Sequence, residues 1–141
     1  MKTVFEVAEV DFKERLEAIR AVRFTVFVDE QKVPAEIEMD EWDERARHVL
    51  AISDGVAIGT GRLLPDGHIG RVAVLEAWRG KGVGLALMRK LIEMGLASEM
   101  PKLVLSAQTH ATRFYERLGF EVTSEVYLEA GIEHVEMVLK P

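Results

Sequence analysis

The segment that decides the fold is VAVLEAWRGKGVGLALMRKLI, residues 72–92. It joins an apolar strand pattern to an apolar helical pattern through a turn with glycines at positions 80, 82 and 84. Glycine inside a helix costs roughly 0.5–1 kcal/mol relative to alanine, so this concentration needs a reason. The first N–H groups of a helix have no partner within it and lie at the positive end of its dipole, and glycine lets a ligand reach them. The segment therefore predicts a phosphate-binding turn between a strand and a helix.

The spacing of the glycines excludes two common nucleotide-binding motifs. The dinucleotide fingerprint G-x-G-x-x-G needs a glycine where this chain has Leu85 or Leu87. A Walker A loop, G-x-x-x-x-G-K-S/T, is absent. The pattern that remains is R-x-x-G-x-G, residues 79–84, directly after an apolar strand. Its arginine and lysine make the turn locally positive in a chain whose formal net charge is −6.

The composition narrows the classes of function. A chain of 141 residues, 48% hydrophobic and 30% charged, is expected to form a single soluble domain over residues 1–141. The absence of cysteine excludes disulfides, thiolate zinc sites and a cysteine nucleophile. The acidic balance argues against nucleic-acid binding. Neither a signal peptide nor a membrane span is visible, so we expect a cytoplasmic location and no membrane partner.

The remaining patterns predict a mixed α/β fold with the element order β-α-βββ-α-β-α-ββ. Apolar residues at three- and four-residue steps from Phe12 to Val26 indicate the first helix. Asp54-Gly55 indicates a two-residue hairpin within a three-strand meander, and the helix that follows the fifth strand should stop at Gly119. We expect a central, largely antiparallel sheet with helices on both faces. The alternative is an α+β domain with helices on one face only.

A second segment makes the phosphate-binding turn specific. The stretch AQTHATRFYERLGF, residues 107–120, contains the pattern A-x-x-x-Y-E-x-x-G-F. The two segments together resemble the signatures of the Gcn5-related N-acetyltransferase (GNAT) superfamily, whose acyl-CoA-binding pattern is (R/Q)-x-x-G-x-(G/A). The stretch VRFTVFVDEQKVPAEIEMDE, residues 22–41, is also similar to the bacterial ElaA/YjcF-like subgroup. The resemblance spans nearly the whole chain and implies the GNAT acyl-CoA N-acyltransferase fold.

The resemblance implies acetyl-CoA as the cosubstrate and no metal. An N–H near Val74 would polarise the thioester carbonyl, and the strand that contains it would pair with the pantetheine arm. The family often has asparagine where this chain has Gln108, a longer amide that can still hydrogen-bond. The residues implied in cofactor binding are Val72, Ala73, Val74, Arg79, Gly80, Lys81, Gly82, Val83, Gly84, Gln108 and Tyr115.

Acetyl transfer to an amine needs a neutral nucleophile, stabilisation of the oxyanion and a proton for the departing thiolate. The resemblance places Tyr115 beside the sulfur, where it would be the general acid, although a tyrosine that only caps a helix–sheet contact is the alternative. Candidate general bases are His110, His134 and Glu30, with Asp40 or a water molecule as rivals. The other two histidines are interpreted as a strand-edge residue, His48, and a turn residue, His68.

The acidic stretch, residues 29–44, is expected to border the acceptor pocket, as the corresponding region does in the family. Its carboxylates would attract a cationic amine, and Gln31 and Asp40 are candidate acceptor-binding residues. Arg71 would instead bind a carboxylate or phosphate of the acceptor. The alternatives are a solvated acidic face and a surface arginine on a strand.

These observations favour an N-acetyltransferase that transfers acetyl from acetyl-CoA directly to a primary amine in a ternary complex. Without cysteine there is no obvious acyl-enzyme nucleophile. A non-catalytic acyl-CoA-binding module is the alternative, and an enzyme like the acyl-homoserine-lactone synthases ranks below it. The expected partner is a small amine-bearing acceptor, and the edge strands would allow a homodimer.

Overall fold

An open mixed sheet forms the centre of the protein. The computed structural model describes residues 4–141, but only the backbone of residues 36 and 37. Within this part of the chain the sheet has eight strands in the order β1-β2-β3-β4-β5-β8-β6, with β7 also paired to β8. The strands are β1 Glu6–Val10, β2 Arg47–Ser53, β3 Val56–Leu63, β4 His68–Val74, β5 Leu103–Gln108, β6 Glu121–Val122, β7 Tyr127–Glu129 and β8 Ile132–Leu139. The β4–β5 pair is parallel, and the other pairs in this part of the chain are antiparallel.

Four α-helices connect the strands in the described part of the chain. They are α1 Leu16–Arg23, α2 Ala35–Glu38, α3 Val83–Ala97 and α4 Thr112–Glu116. A π-helix, Phe24–Glu30, continues α1, and short 3₁₀-helices cover Glu41–Glu44, Glu76–Trp78 and Thr109–Ala111. From residue 4 onward, no helix has both the length and the apolar character that crossing a membrane requires.

Helices cover both faces of the sheet. On one face α3 packs closely against β3. Gly61 allows this close packing, since a Cβ at that position would lie only 2.9 Å from Leu91 Cδ1. On the other face Val22 of α1 and Val26 of the π-helix pack against Ala73 of β4. The expected mixed α/β fold is therefore confirmed, and the alternative with helices on one face is wrong.

The predicted meander is present and its first turn follows from local backbone chemistry. Asp54 and Gly55 have φ values of +50° and +76° and form a two-residue connection between β2 and β3. Positive φ at both central positions is the requirement of a type I′ turn, which Asp-Gly satisfies. The hairpin thus sets the antiparallel register that leads into β4.

A bulge and a separation of strands open the sheet beside β4. Thr60 pairs with Ala73 but Arg62 pairs with Gly70, so β4 contains one extra residue at this point. Arg71 lies in the bulge with a φ of +50°. Before the bulge, β4 and β5 share only two paired positions, residues 68–69 with 104–105, and the strands separate from there onward. The separation creates the cleft in which the candidate site lies.

Two elements differ from the sequence prediction. The first helix changes from α to π at Phe24, where the run of aromatic and β-branched residues is a weak α-helix former. The first of the two predicted C-terminal strands is divided into β6 and β7, because the Ser124 hydroxyl accepts the N–H of Glu136 at 2.8 Å in place of a backbone carbonyl. The weak alternation of TVFEVAEV, residues 3–10, predicts a first strand that starts at Thr3, which lies outside the described residues.

Candidate active site

The cleft between β4 and β5 has a volume of about 540 Å³ and two distinct walls. The wall on the α3 side presents Met88 and Tyr115. The wall on the α1 side is polar and includes Glu38, Arg71 and His134. The β4 backbone runs between the two walls toward the glycine turn.

The free edge of β4 presents backbone groups to the cleft. Leu75 donates its N–H to Ile58 O of β3, and Ala73 pairs with Thr60 of β3. Because alternate residues of a strand direct their backbone groups to opposite sides, the N–H and C=O of Val72 and Val74 point away from β3. Of the three residues expected to pair with pantetheine, Ala73 therefore directs its backbone to the sheet instead of the cleft.

The glycine turn has the conformation that the sequence required. Gly80 and Gly82 have φ values of +75° and +85°, and Gly82 is the N-cap of α3. The first hydrogen bond within α3 runs from Ala86 N to Gly82 O, so the N–H groups of residues 83–85 have no partner inside the helix. Lys81 Nζ lies 5.4 Å from the ring centroid of Trp78. The turn fits an anionic group such as a pyrophosphate.

Arg79 and Glu30, predicted for different roles, form an ion pair. Arg79 Nη2 lies 2.6 Å from Glu30 Oε2, and its Nε donates to Val74 O at 3.0 Å. The pair connects the end of the π-helix to the glycine turn. Glu30 thus lies beside the turn and does not line the cleft that contains Tyr115.

Tyr115 is positioned by α4 and by a small aromatic cluster. Its ring packs edge-on against Phe114 and Phe120, with centroid distances of 5.1 and 6.3 Å. Burial raises the pKa of the Tyr115 hydroxyl above its usual value near 10. The hydroxyl therefore keeps its proton at neutral pH and is able to donate it.

His134 lies on the opposite wall with one nitrogen fixed by the backbone. Its side chain is buried, and Nδ1 is 2.7 Å from Ile132 O. A carbonyl oxygen only accepts, so Nδ1 carries the hydrogen and the neutral ring has its lone pair on Nε2. Glu129 Oε2 lies 3.5 Å from Nε2 and would pair with an imidazolium. Tyr127 stacks on the ring from outside.

The structure brings some of the other predicted residues into the cleft and leaves one outside. Gln108 Nε2 donates to Gln31 Oε1 at 3.2 Å, which connects β5 to the end of the π-helix. Both glutamines line the cleft, but His110 is exposed and does not. His48 is buried in an interior strand, so its interpretation as a strand-edge residue is wrong.

A buried ionic cluster beside the cleft was not predicted. Arg23 is 1% exposed and bonds Glu38 Oε1 through Nε at 2.6 Å and Asp43 Oδ1 through Nη1 at 2.7 Å. Arg62 Nη1 lies 2.7 Å from Asp40 Oδ1 and 2.8 Å from Asp43 Oδ1. Asp40 also accepts from the last member, Arg71. The arginine–carboxylate network is thus Arg23, Glu38, Asp40, Asp43, Arg62 and Arg71.

The network changes the interpretation of the acidic stretch. Glu38 and Asp43 are buried against arginines, so a solvated face is wrong for these two residues. Burial raises the pKa of Asp43, but the hydrogen bond and charge of Arg23 outweigh it and hold the value below the usual one. A sequence signal existed, since Arg23 follows Ile19 by one helical turn and falls on the apolar stripe.

Among the side chains that the structure describes, no group of three or more histidine, aspartate or glutamate residues is arranged to hold a metal ion. The polar groups of the cleft are instead held by the arginine–carboxylate network and by backbone carbonyls.

Comparison with solved structures defines the class of protein. A crystal structure of an acyl-CoA N-acyltransferase from Pseudomonas aeruginosa matches with a TM-score of 0.83 and 33% identity, over 98% of this chain and 99% of that one. The crystal structure of Escherichia coli ElaA matches with a TM-score of 0.87 and 33% identity, over 96% of this chain and 99% of that one. The fold is that of the acyl-CoA N-acyltransferases.

Sequence comparison identifies the family. The family model for the GNAT acetyltransferase domain matches residues 12–141. YjcF of Bacillus subtilis, named as an uncharacterized N-acetyltransferase, is 37% identical in an alignment of 130 residues that covers 89% of this chain and 93% of YjcF. The chain therefore belongs to the GNAT acetyltransferase family, as its two sequence signatures indicated.

Proposed function

We propose that the protein transfers an acetyl group from acetyl-CoA directly to a primary amine within a ternary complex. The observation that carries the proposal is the cleft at the free edge of β4, which contains Tyr115 on one wall and His134 on the other. A phenol that keeps its proton and an imidazole with a defined lone pair are the acid and the base that this reaction needs.

The free strand edge and the glycine turn support acetyl-CoA as the donor. The unpaired N–H groups of residues 83–85 would hold the pyrophosphate, with the side chain of Lys81 nearby. The backbone of Val72 and Val74 would pair with the amides of pantetheine as an added strand. The N–H of Val74 would polarise the thioester carbonyl, which supplies the electrophile of the reaction.

Tyr115 would protonate the departing thiolate. We expect Tyr115→Phe to lower kcat by about 100-fold or more, because general acid catalysis contributes about 10²–10⁴-fold. The affinity for acetyl-CoA should stay close to that of the wild type, since the ring and its packing remain. Steady-state kinetics and calorimetric titration with acetyl-CoA measure the two quantities. Tyr127→Phe is the matched control, because Tyr127 is the chain's other tyrosine and does not line the cleft. The variant loses only the hydroxyl that contacts Ser106 and keeps the ring that stacks on His134.

His134 would take the proton from the amine through Nε2, and Glu129 would stabilise the imidazolium that forms. We expect His134→Gln to lower kcat by about 100-fold and to remove the acidic limb of the pH profile of kcat/KM. His110→Gln is the competing variant and should retain both, because His110 is exposed outside the cleft. Loss of the limb in the His110 variant, or its persistence in both variants, would reject His134 as the base.

The release of CoA tests the proposed function as a whole. The chain has no cysteine, so a thiol-reactive dye reports only the CoA that is released. Purified protein with acetyl-CoA and a panel of primary amines should release CoA in step with N-acetylated product, identified by mass spectrometry. Tight binding of acetyl-CoA without turnover on any amine would instead indicate the non-catalytic binding module.

A further inference from the structure

We propose that the acceptor carries an anionic group, such as a carboxylate, and that Arg71 binds it while the amine faces His134. This inference rests on the proposed function and assigns it a substrate class, which is a small amine that also carries an acid.

The β4 bulge places Arg71 on the same side of the sheet as His134. Ile69 pairs with Leu105 of β5, so position 71 lies level with residues 106–108 across the opening of the cleft. His134 pairs with Gln108 and lines the same cleft from β8. The two side chains therefore lie on the same α1-side wall, one from β4 and the other from β8 across the opening between β4 and β5, an arrangement suited to the two ends of one small molecule.

The arginine–carboxylate network leaves Arg71 the most accessible of its three arginines. The side chain of Arg71 is 30% exposed, compared with 1% for Arg23 and 7% for Arg62. Arg62 holds both carboxylate oxygens of Asp40, at 2.7 and 3.0 Å, whereas Arg71 reaches Asp40 Oδ2 at 3.2 Å. Arg71 Nε donates to the main-chain oxygen of Glu38 at 3.0 Å and lies 3.7 Å from Oε1 of the same residue. The guanidinium is thus oriented by the network and still faces the cleft.

The electrostatics at Arg71 favour an anion over a cation. Burial lowers the pKa of Arg71, and the neighbouring charges of Arg62 and Arg23 lower it further, despite the opposing effect of Asp40 and Glu38. A carboxylate beside the guanidinium would stabilise its positive charge in this partly buried position. Glu38 also lines the cleft, but its side chain is only 1% exposed and its Oε1 is bonded to Arg23 Nε at 2.6 Å.

The rest of the α1-side wall suits the hydrocarbon body of such an acceptor. Phe27 and Val33, from the π-helix and the segment after it, line the cleft together with Leu64 of the turn before β4. We therefore choose amino acids with apolar side chains as the first probes, each paired with the amine that lacks the carboxylate. L-phenylalanine is paired with 2-phenylethylamine, and L-leucine with 3-methylbutylamine.

The first experiment measures kcat/KM for each pair, and for the twenty common amino acids, with the wild type and Arg71→Gln. We expect the wild type to prefer the carboxylated member of a pair. Arg71→Gln should lower kcat/KM for that member by about 10- to 100-fold, because a charge-assisted hydrogen bond is lost. It should change kcat/KM for the amine without the carboxylate by less than about threefold. The KM for acetyl-CoA should not change. Arg45→Gln is the matched control, because Arg45 is an exposed arginine that contacts Trp42 outside the cleft.

A second measurement separates this inference from the proposed function. Calorimetric titration in the presence of CoA compares N-acetyl-L-phenylalanine and N-acetyl-L-leucine with their uncharged amides, and it requires no turnover. Binding that depends on both the carboxylate and Arg71 supports the inference even if no amine is acetylated. In that case the proposed function fails, but the assignment of Arg71 to an anionic group stands. The inference is overturned if the acids and their uncharged partners bind and react alike, or if Arg71→Gln affects both equally.

Discussion

Loss of Arg23 should strongly destabilise the protein. Its guanidinium bonds the carboxylates of Glu38 and Asp43, and all three side chains are no more than 2% exposed. Arg23→Gln leaves both carboxylates without their principal partner in a buried environment. Breaking a buried pair in this way costs about 3–5 kcal/mol. Urea denaturation at pH 7 should show a decrease of this size in the free energy of unfolding.

The control for Arg23 is an exposed arginine that forms a bidentate ion pair. Arg47 holds Glu9 through Nε and Nη2, both at 2.8 Å, but each side chain is 40% exposed. Solvent screens such a pair, so Arg47→Gln should cost no more than about 1 kcal/mol. Equal losses in the two variants would contradict the argument that burial, and not the ion pair itself, sets the cost.

At the scale of elements, substitution by alanine should have opposite effects on stability at two glycines of the same turn. Gly82 has a φ of +85°, a conformation that costs other residues about 1–2 kcal/mol. Gly84 is helical, and a Cβ there would meet only Val74 Cγ2 at an ordinary 3.8 Å. We expect Gly82→Ala to lower both the thermal stability and the affinity for acetyl-CoA. Gly84→Ala should raise stability by up to about 1 kcal/mol and retain the affinity.

Differential scanning calorimetry and titration with acetyl-CoA measure the two effects. The comparison is closely matched because each variant adds one methyl group to the same turn. The prediction is contradicted if Gly82→Ala is as stable as Gly84→Ala, since the left-handed conformation would then carry no cost. The GNAT pattern itself, which accepts alanine at the last position, agrees with the expectation for residue 84.

Elements with local signals were predicted from the sequence, and elements set by distant contacts were not. The hairpin at residues 54–55 and the apolar stripe of α3 depend on neighbours a few residues away. The arginine–carboxylate network joins Arg23 to residues 15 and 20 positions later in the chain, and no local pattern encodes that pairing. The change from α to π in the first helix also escaped prediction, because apolar spacing alone does not reveal it.

The candidate site was predicted in part for the same reason. Tyr115 and residues 79–84 belong to short signatures, so their proximity to the cleft could be expected. The position of Glu30 against Arg79 could not, because it depends on where the π-helix ends relative to the glycine turn. The pairing of β8 with β5 brings His134 into the cleft, which no local pattern predicts, whereas His110 is exposed.

At the scale of the whole molecule, His48 should make folding sensitive to mild acid. Its ring is 1% exposed, stacks on Phe12 and approaches Asp43 O through Nε2 at 2.8 Å. Burial lowers the pKa of His48 below its usual 6.5. The contribution of neutral His48 to stability is fully present above pH 6.5, the pKa of the unfolded state. It is lost as the pH falls toward the lower pKa of His48 in the folded protein. Over that window the free energy of unfolding should decrease by about 1.4 kcal/mol per pH unit.

Urea denaturation at several pH values between about 5 and 7 measures this slope, and the usual carboxyl pKa values near 4 keep most carboxylates out of the window. His48→Gln should flatten the slope whatever its effect on absolute stability. Asp40 and Asp43 have lowered pKa values, so their contribution is present above their usual value and is lost only in stronger acid. An unchanged slope in the His48 variant would assign the acid sensitivity to other groups.

The bulge at Arg71 also shifts, by one residue, the alternation of β4 side chains between the two faces of the sheet. Ile69 and Val72 are three positions apart, an odd separation that would put them on opposite faces of a regular strand, yet both pack on the α3 side. One inserted residue thus fixes which backbone amides of residues 72–74 face the cleft. A substitution at position 71 changes a side chain that lines the cleft, whereas a one-residue deletion would turn the amide of Ala73 outward and those of its neighbours back into the sheet.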